Sequence, residues 1–385
     1  MQSEVLGFDV VIVGGGPVAL SAAIKIRQLA AAQGQNVTVS VLEMGSDLIR
    51  CGAVIDPIAL TDLLPNWKTK GASFATPVTE GRLLVLTETK SYTVPNLLMR
   101  TSRKNQRQYI VNPAQLCRFL QEEARGLGVG IYPGFAAAKI LYDEIGCVVG
   151  VATGDMGITG GGHHNPSFEP QVELRAKLTL LAEGARGSLT KQVIARYGLP
   201  PGRDPQKYGL AIEELWAIDP AVHQAGLVEH SQGWPLGRNA GGGSFVYHLN
   251  GTQIALGLIV HLNYDKQYLS PFDEFQRLKT HPAIARYLKG GDRIAHDAHV
   301  INEGQSVTKQ VFPGGALVGC ATGFANLTRI KGSHNALETG TLAGEAAFDT
   351  VVAGSRALAT MPPIYKSEAR SHTTPTPSLH PEDVV

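Results

Sequence analysis

The sequence predicts an α/β fold, α+β overall, in which a mainly parallel sheet flanked by helices carries an inserted antiparallel sheet. Three observations predict it. Between Phe8 and Leu42 an apolar run, a Gly-rich turn, an Ala-rich stretch and a second apolar run follow one another, the order of a βαβ unit. A second strand-to-helix joint, again with Gly at its turn, lies at Leu174–Tyr197. Between Tyr208 and His261 strand-like runs alternate with Gly, as in an antiparallel sheet.

Each element has its own reason. FDVVIV (Phe8–Val13) is short, continuous and β-branched, the pattern of a strand buried on both faces. Ala19–Ala32 is helical, with Leu20, Ala23, Ile24 and Leu29 as its packing stripe and Gly34 as its stop. Val37–Leu42 is the second strand, with Glu43 at its end. Asp47–Tyr109 is mixed and rich in turns. Asn112–Leu127 is a helix with Asn as cap and Pro at its first position. Gly128–Pro133 is a strand, and ILYDE and CVVGVAT form a hairpin turning at Ile145–Gly146. Gly157–Pro170 reads as a loop, including His163 and His164, because adjacent histidines rarely point at one metal ion. Leu174–Ala182 is a strand, a further strand ends at Ala316–Gly319, and Ile330–Val352 is a long helix.

These elements predict one nucleotide-binding domain over 6–355, assembled from about 6–60, 110–195 and 295–355. Insertions fall at about 60–110 and 200–295. Residues 356–385, rich in Pro, Ser, Thr and His without apolar period, read as a disordered tail.

Composition narrows the function. The 385 residues are 43% hydrophobic and 17% charged, ordinary globular material. With 34 basic and 33 acidic residues the net charge is +1, which lacks the basic excess of a nucleic-acid binder. Cys51, Cys117, Cys147 and Cys320 are dispersed, so neither a disulfide framework nor a thiolate cluster is read from them and no metal site is expected. No apolar run reaches the ~18–20 residues of a membrane span. Glu4 and Asp9 interrupt the apolar stretch that a secretory signal needs.

The chemistry lies in the turns. In Gly14-Gly15-Gly16-Pro17, Gly14 permits a tight turn and Gly16 lets backbone approach a pyrophosphate. The helix N-terminus then offers free N–H groups and positive charge to the phosphates. Ala19 stands for the third Gly of the fingerprint, and Glu43 falls where a carboxylate meets ribose hydroxyls. Two more segments favour FAD over NAD. One is LLAEGARGS, with Glu183 and Gly184 at a strand end. The other is FPGGALVGCATGF followed by TRIKGSHNALETGTLAGEAA, which places Gly319, Cys320, Gly323, Phe324, Ile330 and Gly332 near a helix N-terminus suited to a reduced anionic flavin. Together they point to the FAD-binding fold of the glutathione reductase-related class. No acid–base catalytic residue is nominated.

Longer stretches resemble one family: CGAVIDP (51–57), PVTEGR (77–82), IYPGFAAAKILYDE (131–144), GVATGDMGI (150–158), LRAKLTLLAEGARGSLTKQ (174–192), GWPL (233–236), GGSFVYHL (242–249), YLSPFDEFQRLKTHPAI (268–284), and GCATGF with RIKGSHNA (319–336). They resemble electron transfer flavoprotein–ubiquinone oxidoreductase from about residue 6 to 350. The resemblance implies an oxidoreductase of the respiratory chain that takes electrons from electron transfer flavoprotein, through a [4Fe–4S] cluster and FAD, to ubiquinone at a membrane surface. It adds Gly52 and Ala53 to the cofactor residues and assigns backbone contacts to ubiquinone at Gly242 and Gly243. It also implies a peripheral, monotopic location on a bacterial or mitochondrial inner membrane, without a nucleic-acid partner.

The chain departs from that family in places. Ala240 and Gly241 replace Thr-Tyr before the glycine pair, Thr328 stands for Pro, Cys320 for Asp, and the segment from Asn302 is shorter. The cluster-bearing part of the family falls outside the sequence, so no ligands for the [4Fe–4S] cluster are expected here. Two other readings follow: another FAD oxidoreductase or monooxygenase of the superfamily, or an FAD-binding remnant that transfers nothing. The stripe Ile58, Leu60, Leu63, Leu64, Trp67 and Phe74 either enters a bilayer surface or packs inward, the commoner outcome.

Overall fold

The computed structural model describes residues 4–45, 52–71, 74–95, 108–158, 164–200, 207–237, 240–264, 268–303, 309–322 and 332–355. The expected tail at 356–385 lies outside the described residues.

Among them the first sheet has five parallel strands in the order β8 (Gly130–Pro133), β2 (Val39–Glu43), β1 (Glu4–Val13), β13 (Val172–Leu181) and β20 (Gly315–Leu317). β13 has two partners on its outer side. Its first half pairs antiparallel with β10 (Val148–Thr153) of the hairpin begun by β9 (Ala137–Tyr142), and its second half pairs with β20. β19 (Val311–Phe312) closes that edge. β1 is apolar along Val10–Val13 because it is covered on both faces. On one face lie α1 (Pro17–Ala32), α4 (Pro113–Gly126) and α8 (Gly332–Val352); on the other lies α5 (Ser188–Tyr197). Asn112 caps α4 as its sequence predicts, accepting from the N–H groups of Ala114 and Gln115. Gly34 sits at φ +63° just after α1.

The second sheet has seven strands in the order β18 (Asp292–Glu303), β14 (Lys207–Ala217), β17 (Gln253–His261), β16 (Gly242–His248), β15 (Leu227–Gly233), β5 (Glu80–Leu86) and β6 (Ser91–Thr93). The expected antiparallel pairing holds for β14, β17, β16 and β15, while β15 and β5 run parallel. α6 (Pro271–Thr280) and α7 (Pro282–Leu288) cover one face. The other face meets a small sheet of β3 (Ala53–Ile55), β7 (Tyr109–Val111) and β4 (Ala75–Pro77), with Val54 and Ile110 packed among Phe245 and Tyr247. Residues 292–303 thus pair within the second sheet, so the chain returns to the first sheet after 303 rather than near 295.

One expectation needs correction and one open alternative is decided. The stretch 157–170 is not a simple loop: β11 (Met156–Ile158) and β12 (His164–Glu169) pair antiparallel, and residues 159–163 lie outside the described residues. The apolar stripe packs inward. Leu60, Leu63, Leu64, Trp67 and Phe74 are buried in the first core, with α2 (Ile58–Leu63) and α3 (Trp67–Gly71) against α1 and α4, and only Ile58 is exposed. Trp67 meets Phe74 in a tilted contact at 6.0 Å and Tyr109 edge-on at 5.3 Å. No helix among the described residues is long and apolar enough to cross a membrane.

Candidate functional site

The carboxyl ends of β2, β1, β13 and β20 lie side by side, since Val13 pairs with Leu42 and Leu181, and Leu181 with Leu317. The turns that leave these ends form the crevice. Gly14 has φ +109°, and a Cβ there would collide with the carbonyl oxygen of Ala182. Glycine is therefore required by both conformation and space. Gly15 lies against Glu43, whose Oε2 would be 2.7 Å from an added Cβ. A Cβ added at Gly16 would meet no atom within 4 Å, so the space on that side of its backbone is open. Gly16 is the N-cap of α1, no side chain caps that helix, and Pro17 occupies its first turn. Donors and helix dipole both face the opening, an arrangement suited to phosphate.

Glu43 is oriented before any ligand arrives. Its two carboxylate oxygens accept from the backbone N–H groups of Gly15 and Gly45. The side chain thus sits at the β2 end with lone pairs left for hydroxyl donors.

Gly319, Cys320, Ala321 and Thr322 form a 3-10 turn after β20. Gly319 has φ +66°, and Val18 on the first turn of α1 would lie 2.6 Å from an added Cβ. The Thr322 hydroxyl donates to the Gly319 carbonyl at 2.7 Å. Ahead of α8, Gly323, Phe324 and Ile330 lie outside the described residues, and Gly332 is the first residue of the helix.

Some predicted site residues do other work. The Glu183 carboxylate caps α5, accepting from the N–H groups of Leu189 and Thr190 at 3.2 and 2.7 Å and from the Thr190 hydroxyl. What Glu183 and Gly184 present to the crevice is backbone, because the carboxylate is committed to a helix end. Gly52 is a packing position: Ala255 Cβ would stand 2.5 Å from a Cβ there, which brings the second sheet against the chain leading into β3. Ala53 pairs with Val111 in the small sheet.

Gly242 and Gly243 begin β16 and pair with Val260 and Ile259. Gly242 has φ +143° and abuts the Ile259 carbonyl, while Ser231 O lies 2.7 Å from an added Cβ at Gly243. Strand packing alone thus demands both glycines. The β15–β16 register ends at the Ser231–Ser244 pair, short of the two glycines. Gly243 shares its face with Phe245 and Tyr247, whose rings stack at 4.4 Å, and Tyr247 meets His230 Nε2 at 2.9 Å. Burial pushes the Tyr247 hydroxyl pKa far up, with Glu213 adding to the effect. The alternation in GGSFVYH could have revealed this shared face from sequence. Among the described residues no three His, Cys, Asp or Glu side chains are placed to share a metal ion.

Residues 208–301 match the family model for the ubiquinone-binding part of ETF-QO. The electron transfer flavoprotein–ubiquinone oxidoreductase of Pseudomonas aeruginosa is 48% identical over 361 residues, 92% of this chain and 66% of that protein. The mitochondrial protein of that name from Mus musculus is 47% identical over 347 residues, 88% of this chain and 56% of that protein. The chain therefore spans somewhat under two thirds of the length of these relatives. Among solved structures, a geranylgeranyl bacteriochlorophyll reductase-like protein from Thermoplasma acidophilum superposes with TM-score 0.68 at 17% identity, covering 95% of this chain and 84% of that one. A flavin-dependent halogenase from a myxobacterium gives 0.63 at 16%, covering 95% and 79%. At such identities these likenesses establish the Rossmann-like fold alone. The sequence relatives carry more: the chain belongs to the electron transfer flavoprotein–ubiquinone oxidoreductase family.

Proposed function

We propose that the chain is an FAD-dependent oxidoreductase that passes electrons from electron transfer flavoprotein to ubiquinone. The observation that carries this reading is the convergence of Gly14–Pro17, Glu43 and the Gly319–Thr322 turn on one sheet edge. The donor set fits FAD: an uncapped helix N-terminus for the pyrophosphate, an oriented carboxylate for the adenosine ribose, and Gly turns that admit backbone contact. Bound there, FAD would supply the redox chemistry between a protein donor and a quinone.

The chain's own residues bind, orient and exclude water. The amides of Gly16 and the first turn of α1 would hold phosphate oxygens, and Glu43 would accept the ribose hydroxyls. Backbone of Ala182–Gly184 and Gly319–Thr322 would line the flavin side, with Gly52, Ala53 and Gly332 flanking it. The Phe245–Tyr247 face would shield the redox centre, and Gly242 and Gly243 would meet a quinone carbonyl through peptide groups. The domain division follows: the first sheet holds the nucleotide, the second the quinone. A lipid-soluble acceptor also argues for a peripheral location at a bacterial or mitochondrial inner membrane.

Purification with a visible spectrum tests the reading. A yellow protein that releases FAD on denaturation and reduces a short-chain ubiquinone from an artificial donor supports it. A folded, colourless protein that takes up no added FAD overturns it. Bleaching by NADPH would instead favour a hydroxylase or a lipid-chain reductase.

A further inference from the structure

β18 is the edge strand of the second sheet, and its residues alternate in cover. His296 and Ala298 are exposed, whereas Ala295, Asp297 and His299 are partly covered and share the opposite face. That face is directed at the small sheet, since Ala295 packs on the cluster of Val54 and Ile110. It also borders the crevice. β18 lies against the Gly184–Arg186 turn that follows β13, and three residues beyond His299 the Asn302 amide donates to the Cys320 carbonyl. On this face His299 Nδ1 and Asp297 Oδ2 lie 2.9 Å apart. A carboxylate only accepts, so Nδ1 donates and the ring is held by Asp297. Nε2 makes no hydrogen bond among the described residues. The two side chains keep 19% and 21% exposure, so a ligand in the crevice can reach them.

The register ties this pair to the quinone segment. His299 pairs with Ala211, Ala211 with Ile259, and Ile259 with Gly243, one row across four strands on a single face. Three strand steps make the row roughly 14 Å long. Ala211, next to His299, is short, and Gly243 at the far end stays partly exposed. A quinone ring hydrogen-bonded at both carbonyls, together with an imidazole leaning over Ala211, spans such a row.

We propose that His299, oriented by Asp297, protonates the quinone carbonyl that lies away from Gly243. This rests on the quinone reading above. Ubiquinone takes up two electrons and two protons to become ubiquinol: two O–H bonds form and the ring becomes aromatic. The electrons come from the cofactor proposed above. One proton leaves Nε2 of the His299 imidazolium and is replaced from water, and the other reaches the carbonyl at Gly242–Gly243 from solvent. Asp297 keeps the Nδ1 proton and steadies the charged ring. The other titratable groups facing this side are Glu213, His230, Tyr247 and His261, with Glu183 and Arg186 in the turn against β18.

The test follows reduction of a short-chain ubiquinone by the FAD-loaded protein from an artificial donor. Ferricyanide, which takes electrons without protons, is the second acceptor. Wild type is compared with His299→Ala, and with His299→Gln in case the smaller residue prevents folding. Loss of the imidazole is expected to lower quinone turnover about 100-fold with KM little changed, and added imidazole should restore part of it. The wild-type rate should decline as rising pH removes the imidazolium, and the variant should lack that limb, which separates His299 from the other groups on the face. Ferricyanide reduction should persist. In the oxidised protein, short-chain ubiquinone should shift the His299 ring resonances, identified by their absence from the variant; resonances left unmoved would overturn the proposal. Equal loss with both acceptors would mean that His299 only supports the fold and would overturn it too. Unchanged quinone turnover would likewise overturn it and would assign the proton to water. Wild type that reduced ferricyanide but no ubiquinone would instead sink the quinone reading, an outcome distinct from any effect of the variants.

Discussion

Gly14 shows how one missing methyl shapes the site. Its φ of +109° and the Ala182 carbonyl beside it exclude any side chain. Gly14→Ala is expected to cost about 3 kcal/mol, read as a shift in urea midpoint, and to displace the turn that faces the phosphates. His248 makes a different prediction. It is buried, its Nδ1 accepts from the Gln224 N–H, and its Nε2 has no partner among the described residues. Burial, aided by His223, Arg286 and Arg82, lowers its pKa to about 3. The unfolded chain takes up this proton near pH 6.5, whereas the native state resists until about 3. The contribution is therefore complete above about pH 7 and is lost as pH falls from 6.5 toward 3. Stability at about pH 5 should be about 2 kcal/mol below that at about pH 8 on account of this group. Denaturation of His248→Phe at both pH values checks it, since the variant should lose that part of the dependence.

Pairs of elements are held by two contrasting devices. α8 lies so close to α1 that a Cβ on Gly340 would collide with the Ser21 hydroxyl and the Val18 carbonyl, and one on Gly344 would reach 2.6 Å from the Ala22 carbonyl. Lys25 and Glu345 close the contact at 3.0 Å. Gly340→Val should push the helices apart, costing on the order of 3 kcal/mol and loosening the first turn of α1. The thermal midpoint and FAD affinity should fall together. In the second sheet, Glu229 on β15 is buried and accepts from the Tyr287 hydroxyl at 2.8 Å on α7, with Arg82 of β5 at 3.3 Å and Arg286 at 3.6 Å. Removing the carboxylate leaves the Tyr287 hydroxyl without its acceptor, while Arg82 keeps Glu80 at 2.7 Å and Arg286 stays half exposed. Glu229→Ala is accordingly expected to destabilise by about 1–3 kcal/mol, while Arg286→Ala, on an exposed side chain, should cost under about 1 kcal/mol. Chemical denaturation separates the two.

Across the whole molecule, the second sheet packs on the small sheet along Val54, Ile110, Phe245, Tyr247 and Ala255 and is tied to the first through Asn302 and Cys320. A cofactor seated between them binds the native state and not the unfolded chain. On the proposed reading, FAD at about a hundred times its Kd should raise stability by about 2.7 kcal/mol, and the melting temperature should keep rising with FAD concentration. A melting temperature indifferent to FAD would contradict the proposed cofactor.

Local chemistry made much of this protein legible before any coordinates. The βαβ unit, the Asn112 cap, the hairpin at Ile145–Gly146 and the turn at Gly14 follow from apolar period, capping and glycine freedom, which act over a few residues. So does the carboxylate at Glu43, because strand length alone carries it to the sheet edge. Other features needed the tertiary structure, because they depend on what approaches from far along the chain. That the Glu183 carboxylate also caps α5 depended on that helix folding back onto it. That Gly52 must also admit Ala255 of the second sheet showed only once those segments met. The stripe from Leu60 to Phe74 had the same apolar pattern whether it met lipid or core, and packing against α1 and α4 decided it. Asn302 carries no local signal at all. Its meaning comes from a carbonyl eighteen residues on, brought within 3.0 Å by the meeting of two sheets.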